Sequence, residues 1–369
     1  MDRGTVDVYE HHAERWQARR RAQRVDAATE LGRRIAVAGL RRPVVDLGCG
    51  PGWHAPALSG PAGDGRGVVT LDAARAMLDL VPGHAPAAMR VQADLSALPF
   101  ARGALGGAWA SKSYVHLARG DVPMALHDLH RCLALGAPCE LHAFTGELEH
   151  GPLPLDDEFA GRRFSRWPER LLLDVVTGAG FGLEAVDHHQ ARDGVDVIAV
   201  RATRERTLPD SVAPGMRLLV CGLNPSVYSA DAGVPFARPG NRFWPAALAA
   251  GLVARDRDPV DALERHGVGM TDLVKRATPR ADELTRDEYR AGVARLTRLV
   301  AWLRPGAVCF VGLAGWRAAV DRAARPGPQP DRLGGTPIYV MPSTSGVNAR
   351  VGPDELTRHL RDAAALANG

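Results

Sequence analysis

Two short stretches, VCGLNPS at 220–226 and MPSTSGVNAR at 341–350, decide how the second half of this chain is built. Each closes a brief apolar run, at 218–221 and 338–341, of the length and continuity expected of a strand buried on both faces. Each then breaks into small polar residues, which puts turn chemistry at a strand end, where α/β folds keep their sites. Between them, PFARPGNRFW at 235–244 places the aromatic Phe236 in a proline-flanked loop.

The first half carries its own strand–turn–helix signal, PVVDLGCGPGWH at 43–54. Gly48, Gly50 and Gly52 permit positive φ and a close approach of backbone to a ligand. For the glycines alone, a structural turn is the plain alternative. About 20 residues on, VVTLDAARAML (68–78) reads as a second strand closing on Asp72, where a carboxylate accepts ribose hydroxyls. VQADLSALPF (91–100) supplies Asp94 and Leu95 at a third strand end.

At 369 residues with 46% hydrophobic content, the chain is long enough for two cores. Five cysteines (49, 132, 139, 221 and 309) form no C-x-x-C pair, which argues against structural zinc or an iron–sulfur cluster and fits a reducing cytoplasm. The opening MDRGTVDVYEHHAERW is charged and lacks an apolar core, so neither a signal peptide nor a membrane span is expected. From residue 213 onward there are roughly 21 Arg and Lys against 15 Asp and Glu, and before it roughly 25 against 27. The basic excess therefore lies in the second half, where a polyanion would bind, although the near-absence of Lys also fits codon bias. ATRERTLPDSVAPG (202–215) is polar, carries two prolines and lacks apolar periodicity. It divides the chain into a domain at 1–203, a linker at 204–213 and a domain at 214–369.

The motifs of the second half resemble those of the mismatch-specific uracil and thymine DNA glycosylases, over nearly all of 213–369. The resemblance implies a uracil-DNA-glycosylase-like α/β/α sandwich. It also implies a monofunctional enzyme that hydrolyses the N-glycosidic bond of flipped-out uracil mispaired with guanine, with thymine and ethenocytosine as further candidates. Asn224 would position the attacking water. Asp272, in GMTDLVKRATPRADEL (269–284), would orient or partly deprotonate that water; capping the next helix or pairing with Lys275 are the alternatives. Gly222, Leu223, Phe236 and Ser343 would surround the base, Phe236 by stacking. Thr344 and Ser345 would contact phosphates, and Gly346, Val347, Asn348 and Ala349 would fill the gap left by the flipped base. Arg350 would reach phosphate or the opposite strand. Lys275 and Arg276 are phosphate contacts or a solvated face. Asn241, Phe243 and Trp244 support the Phe236 loop.

The first half resembles the class I S-adenosylmethionine-dependent methyltransferases over about 8–200, implying a Rossmann-like fold. Asp46, Gly48, Gly50 and Gly52 would line the methionine and ribose, Asp72 would hold the ribose hydroxyls, and Asp94 with Leu95 would bracket the adenine. The methyl acceptor stays open: AWASKSYVHL (108–117) lacks the Pro-Pro of DNA amino-methyltransferases, and Pro138–Cys139 is placed for a buried structural cysteine rather than a nucleophile. His116 and Tyr114 either face the transferred methyl or pack in the core. No cofactor is expected for the glycosylase, and its partner is double-stranded DNA with uracil or a mismatched base. Three rival readings are a methyltransferase anchored to nucleic acid by its second half, a non-catalytic lesion binder, and a glycosylase regulated by cofactor binding to the first half.

Overall fold

A computed structural model of the chain describes every residue except 61–64, 153–156, 192–193, 347, 349–350 and 368–369. The chain divides into two compact units, one of Met1–Val176 and Phe181–Glu205, the other of Thr177–Gly180 and Arg206–Gly369.

Unit 1 is built on β1 (Val44–Leu47), β2 (Val68–Asp72), β3 (Met89–Gln92), β4 (Gly107–Ser111), β5 (Pro138–Thr145), the two-residue β6 (Arg166–Trp167), β7 (Phe181–Gln190) and β8 (Asp196–Arg204). The sheet order is β3-β2-β1-β4-β5-β8-β7, with β6 on β5. β1 to β5 run parallel, and β8 is antiparallel to both β5 and β7. β1 is buried at every position because helices cover both faces of a central parallel strand. Leu31 and Ile35 from the helix Val25–Val37, with Leu58 and Trp109, pack against Val44. The chain leaves β1 towards β2 and later returns on its other side with β4. That reversal opens a crevice between the carboxyl ends of β1 and β4.

Unit 2 has five strands, β9 (Leu218–Gly222), β10 (Val268–Asp272), β11 (Ala307–Val311), β12 (Gly327–Leu333) and β13 (Thr336–Met341), in the order β10-β9-β11-β13-β12. β10, β9, β11 and β13 are parallel. Leu218, Val220, Met270, Cys309, Tyr339 and Met341 meet Trp244, Leu356 and Leu360 in one core. At the edge of the sheet β12 runs antiparallel to β13. Pro328 and Pro330 suit an edge position, since neither can donate to a second neighbour.

The segment read as a linker also needs correction. Thr207, Leu208, Asp210, Ser211 and Val212 are all buried. Ser211 and Met270 exchange backbone hydrogen bonds of 2.9 and 2.8 Å, so the polar stretch docks onto β10 instead of spanning solvent.

Candidate functional sites

In unit 1 a cavity of about 290 Å³ lies over the β1 and β4 ends. Gly48 has φ +63°, and a Cβ there would lie 2.4 Å from that of Ser113, so only glycine lets the turn pass β4. Gly50 has nothing within 4 Å of a Cβ and faces the open cavity. Gly52 instead turns towards Val81, 3.1 Å from a built Cβ. It is not part of the described cavity wall, so its place is in the turn rather than against a ligand.

Asp46 is buried on β1, and its Oδ2 finds no hydrogen-bond partner among the described residues. Burial, reinforced by nearby Asp72, pushes its carboxyl up to about 8. Asp72 accepts backbone N–H bonds from Gly50 and Ala74, each 2.9 Å. Burial outweighs these bonds and raises it to about 6. Leu95 lines the cavity. Asp94 accepts from the Met1 amino group (2.6 Å) and from the amide and hydroxyl of Ser96 (2.8 Å each). An unpaired buried carboxylate, an open glycine and a second carboxylate one strand away suit a ligand with a cationic head and a diol. S-adenosylmethionine has both.

His116 lines this cavity, whereas Tyr114 is buried, its hydroxyl without a partner among the described residues. Cys139 is buried within β5, its thiol pushed up to about 12 by burial, which suits a packing residue. Tyr9, Trp16 and Arg162 also reach the cavity, and no local signal in the sequence marks them.

In unit 2 the motif residues gather at the carboxyl ends of β9, β10 and β13. Asp272 ends β10 in register with Gly222 at the end of β9. A Cβ on Gly222 would lie 2.3 Å from Asp272 Oδ1 and 3.6 Å from Phe236 Cζ, so three of the expected residues meet at one point. Burial raises Asp272 to about 6, with Lys275 opposing the rise and Asp210 adding to it. Asn224 Nδ2 donates to Thr278 Oγ1 (2.8 Å), the Arg276 carbonyl (3.0 Å) and the Pro225 carbonyl (3.3 Å). Carbonyl oxygens only accept, so the amide orientation is fixed and Oδ1 points away from them. The amide therefore offers its acceptor side. Leu223 directs its side chain at Gly315, where a Cβ would lie only 2.6 Å from Leu223 Cδ1, leaving its backbone as the group nearest the site.

Phe236 has φ +56°, a left-handed conformation unusual for an aromatic residue. Its ring stacks on buried Phe243 at 4.3 Å and 24°. Trp244 Nε1 donates to the Pro235 carbonyl (2.8 Å), and Asn241 Oδ1 accepts from Phe243 N (2.9 Å). All three hold the loop from behind.

Residues Ser343 to Gly346 and Asn348 fold onto that loop. Arg242 donates to the carbonyls of Val351 (2.5 Å), Asn348 (2.6 Å) and Ser345 (3.3 Å), while its own amide donates to the Thr344 carbonyl (2.9 Å). Asn348 Nδ2 donates to the Ser343 carbonyl (3.0 Å), and Ser345 N to Ser343 Oγ (3.3 Å). Gly346 is exposed, and a Cβ there would lie 2.7 Å from the Gly240 carbonyl. The tip residues Val347, Ala349 and Arg350 lie outside the described residues. Arg242 was visible in the quoted loop, but nothing in its surroundings marked it.

Two expected DNA contacts need correction. Thr344 is 1% exposed, so its hydroxyl cannot meet a phosphate at the surface. Lys275 is buried as well, and its ammonium donates to Asp210 Oδ1 at 2.7 Å. Arg295 holds Asp210 Oδ2 at 2.9 Å, which closes a buried network beneath Asp272. Arg276 is exposed but engaged by Glu288 at 2.6 and 3.0 Å.

Comparison with known proteins agrees with this division. Residues 209–364 match the uracil DNA glycosylase superfamily model, and residues 44–136 match a methyltransferase domain model. Among solved structures, a SAM-dependent methyltransferase from Methanosarcina mazei is similar at 18% identity and TM-score 0.40, covering 46% of this chain and 97% of its own. The 1,6-didemethyltoxoflavin-N1-methyltransferase of Burkholderia thailandensis is similar at 17% identity and TM-score 0.40, covering 53% and 84%. A methyltransferase from Mesorhizobium loti is similar at 18% and 0.39, covering 49% and 100%. With a Rossmann-like sheet in one unit and the motif loops gathered at the strand ends of the other, the chain joins a methyltransferase domain to a domain of the uracil DNA glycosylase superfamily.

Proposed function

We propose that unit 2 is a monofunctional DNA glycosylase that removes uracil mispaired with guanine from duplex DNA, and that unit 1 binds S-adenosylmethionine and methylates an acceptor. The convergence of Gly222, Asp272 and Phe236 beside Asn224 carries the first part. A base turned out of the duplex stacks on the face of Phe236 opposite Phe243, a contact worth about 1–3 kcal/mol. Asn224 Oδ1 accepts a hydrogen bond from a water, and ionised Asp272 draws off its proton as the oxygen bonds to the sugar C1′. The glycosidic electron pair leaves with the base. Lys275 is buried and its Nζ is tied to Asp210, away from the sugar, which favours hydrolysis over Schiff-base chemistry and leaves an abasic site.

Duplexes carrying one labelled G·U, G·T or A·U pair, and single-stranded uracil, test this after alkali treatment. Alkali-dependent cleavage at uracil that disappears in Asn224→Ala supports the glycosylase. Intact duplexes that remain bound transfer the reading to a lesion binder or a nucleic-acid anchor.

For unit 1, the unpaired Asp46 oxygen, the open Gly50 and Asp72 fit the methionine amine and ribose of the cofactor. When bound, that cofactor supplies an electrophilic methyl group. Calorimetry with S-adenosylhomocysteine tests the assignment, and loss of binding in Asp72→Ala is the expected result.

A further inference from the structure

The acceptor side of the unit 1 cavity contains a hydrogen-bond relay whose proton positions can be deduced. His116 Nδ1 lies 2.9 Å from the Arg163 carbonyl, which only accepts, so Nδ1 carries the proton. Burial keeps His116 neutral, at about 4, so Nε2 is an acceptor. Tyr9 Oη, 2.9 Å away, must donate to Nε2. Arg162 in turn donates to Tyr9 Oη at 3.0 Å. The phenol oxygen thus keeps acceptor capacity in a cavity that His116, Tyr9 and Arg162 all line.

The chemistry of the walls selects a substrate class. Lys112 sits at the end of β4 with φ +58°, a strained conformation of the kind functional sites hold, and its ammonium donates to Gln23 (2.9 Å). Arg20 and Arg162 add two guanidinium groups near Trp16, at 5.2 and 5.0 Å from its ring. Trp16, Phe144 and Phe164 supply apolar surface. Cations among aromatic rings favour a flat acceptor with an anionic or carbonyl oxygen and disfavour an amine cation.

Resting on the methyltransferase reading above, we infer that this half of the cavity binds a small aromatic acceptor bearing an acidic O–H or N–H, whose proton passes to Tyr9 and on to His116. The acceptor's heteroatom forms its bond to the methyl carbon as the carbon–sulfur bond breaks, and the electron pair of that bond stays on sulfur. The acceptor's proton goes to Tyr9 Oη while the Tyr9 proton moves to His116 Nε2. The resulting imidazolium donates from both nitrogens. Arg162 and His150 oppose that charge and Asp157 favours it, while Asp72 and Asp157 bear on Tyr9.

4-Nitrophenol is a suitable probe because its phenolate absorbs in the visible. The full-length protein is titrated with it across pH, with and without S-adenosylhomocysteine. The bound phenol should ionise at least about one pH unit below the free phenol, since a unit corresponds to only about 1.4 kcal/mol of preferential stabilisation. Tyr9→Phe and His116→Gln should bind the probe yet lose the shift, with circular dichroism confirming that each is folded. Benzylamine should not compete. An unshifted phenol in the wild-type protein, an unchanged shift in both variants, or competition by benzylamine would overturn the inference. If S-adenosylhomocysteine fails to bind while the shift persists, the methyltransferase reading falls and the proton relay stands.

Discussion

Gly222→Ala tests the unit 2 site without touching a charged group. The added Cβ would sit 2.3 Å from Asp272 Oδ1, against about 3.4 Å for an ordinary contact, so about 1 Å of movement is needed. The backbone has little room to supply it, because β9 is paired on one side with β10 and on the other with β11. The Asp272 carboxylate therefore moves. A misplacement of about 1 Å in a catalytic group costs on the order of 100-fold in rate. The contact with Phe236 Cζ stays ordinary at 3.6 Å, so base stacking and DNA affinity should hold. Overpacking of this size costs about 1–3 kcal/mol of stability, visible in a thermal melt. Single-turnover excision from a G·U duplex supplies the rate. If the loss acts through Asp272, Gly222→Ala combined with Asp272→Ala excises no more slowly than Asp272→Ala alone. An unchanged rate in Gly222→Ala, or full additivity in the double variant, would refute the placement of Asp272 at the reacting centre.

Asp272 acts as a base only when ionised, so excision should rise with pH through about 6 and level off above, and Asp272→Asn should lose that step. Its folded pKa lies above the ordinary carboxylate value of 3.8, so the native state binds the proton more tightly. The associated stability is present below that value and is lost as pH rises through about 6. Thermal melts should therefore show Asp272→Asn faring better against wild type at pH 7 than at pH 4. The same sign applies to Asp46 over a window from 3.8 to about 8. Asp46→Asn should gain stability at pH 9, by about 1.4 kcal/mol for each pH unit of that window, and nothing at pH 4. Arg242→Ala removes bonds to three carbonyls of the 345–351 segment, and each charged bond is worth about 1.5–3 kcal/mol net. Fluorescence anisotropy on an abasic duplex should show at least about tenfold weaker binding. Arg242→Lys should not restore it, because one ammonium cannot span the fork of acceptors.

The strands and their ends are legible from local sequence. Runs such as 218–221 are apolar at every position because both sheet faces are covered, and the turns after them fall at strand ends by necessity. Lys275 shows where local reading stops. A lysine three residues past a strand looks like a surface group, and only its partner Asp210, 65 residues away, allows it to be buried. Asp210 was hidden for the same reason, lying in a polar stretch whose docking on β10 has no periodic signature. Tyr9 and Trp16 come from a helix, Arg3–Arg19, that is mostly exposed and polar, so their role depends on their meeting with Arg162. The antiparallel β12 was obscured by its prolines, which break the alternation that marks a strand.

On the proposed functions, the two buried carboxylates at the sheet ends occupy similar positions but serve different chemistry. Asp46 has no compensating cation among the described residues, and the charge it carries above about 8 is tolerable only if a ligand supplies the partner. Asp272 sits above Lys275 and Arg295, but Asp210 already binds both cations through its own two oxygens. Asp210 is accordingly held below the ordinary carboxylate range, whereas Arg295 Nη2 reaches Asp272 only at its backbone carbonyl (2.9 Å) and the Asp272 carboxyl remains raised. The network thus divides its labour: Asp210 takes the direct ion pairs, and Asp272 keeps a proton affinity near that of a working base. Removing Asp210 would release Lys275 and Arg295 towards Asp272 and lower its pKa. In Asp210→Asn the rising limb of the excision profile should therefore move to lower pH. A limb that stays at the wild-type position would mean that Asp210 only braces the fold.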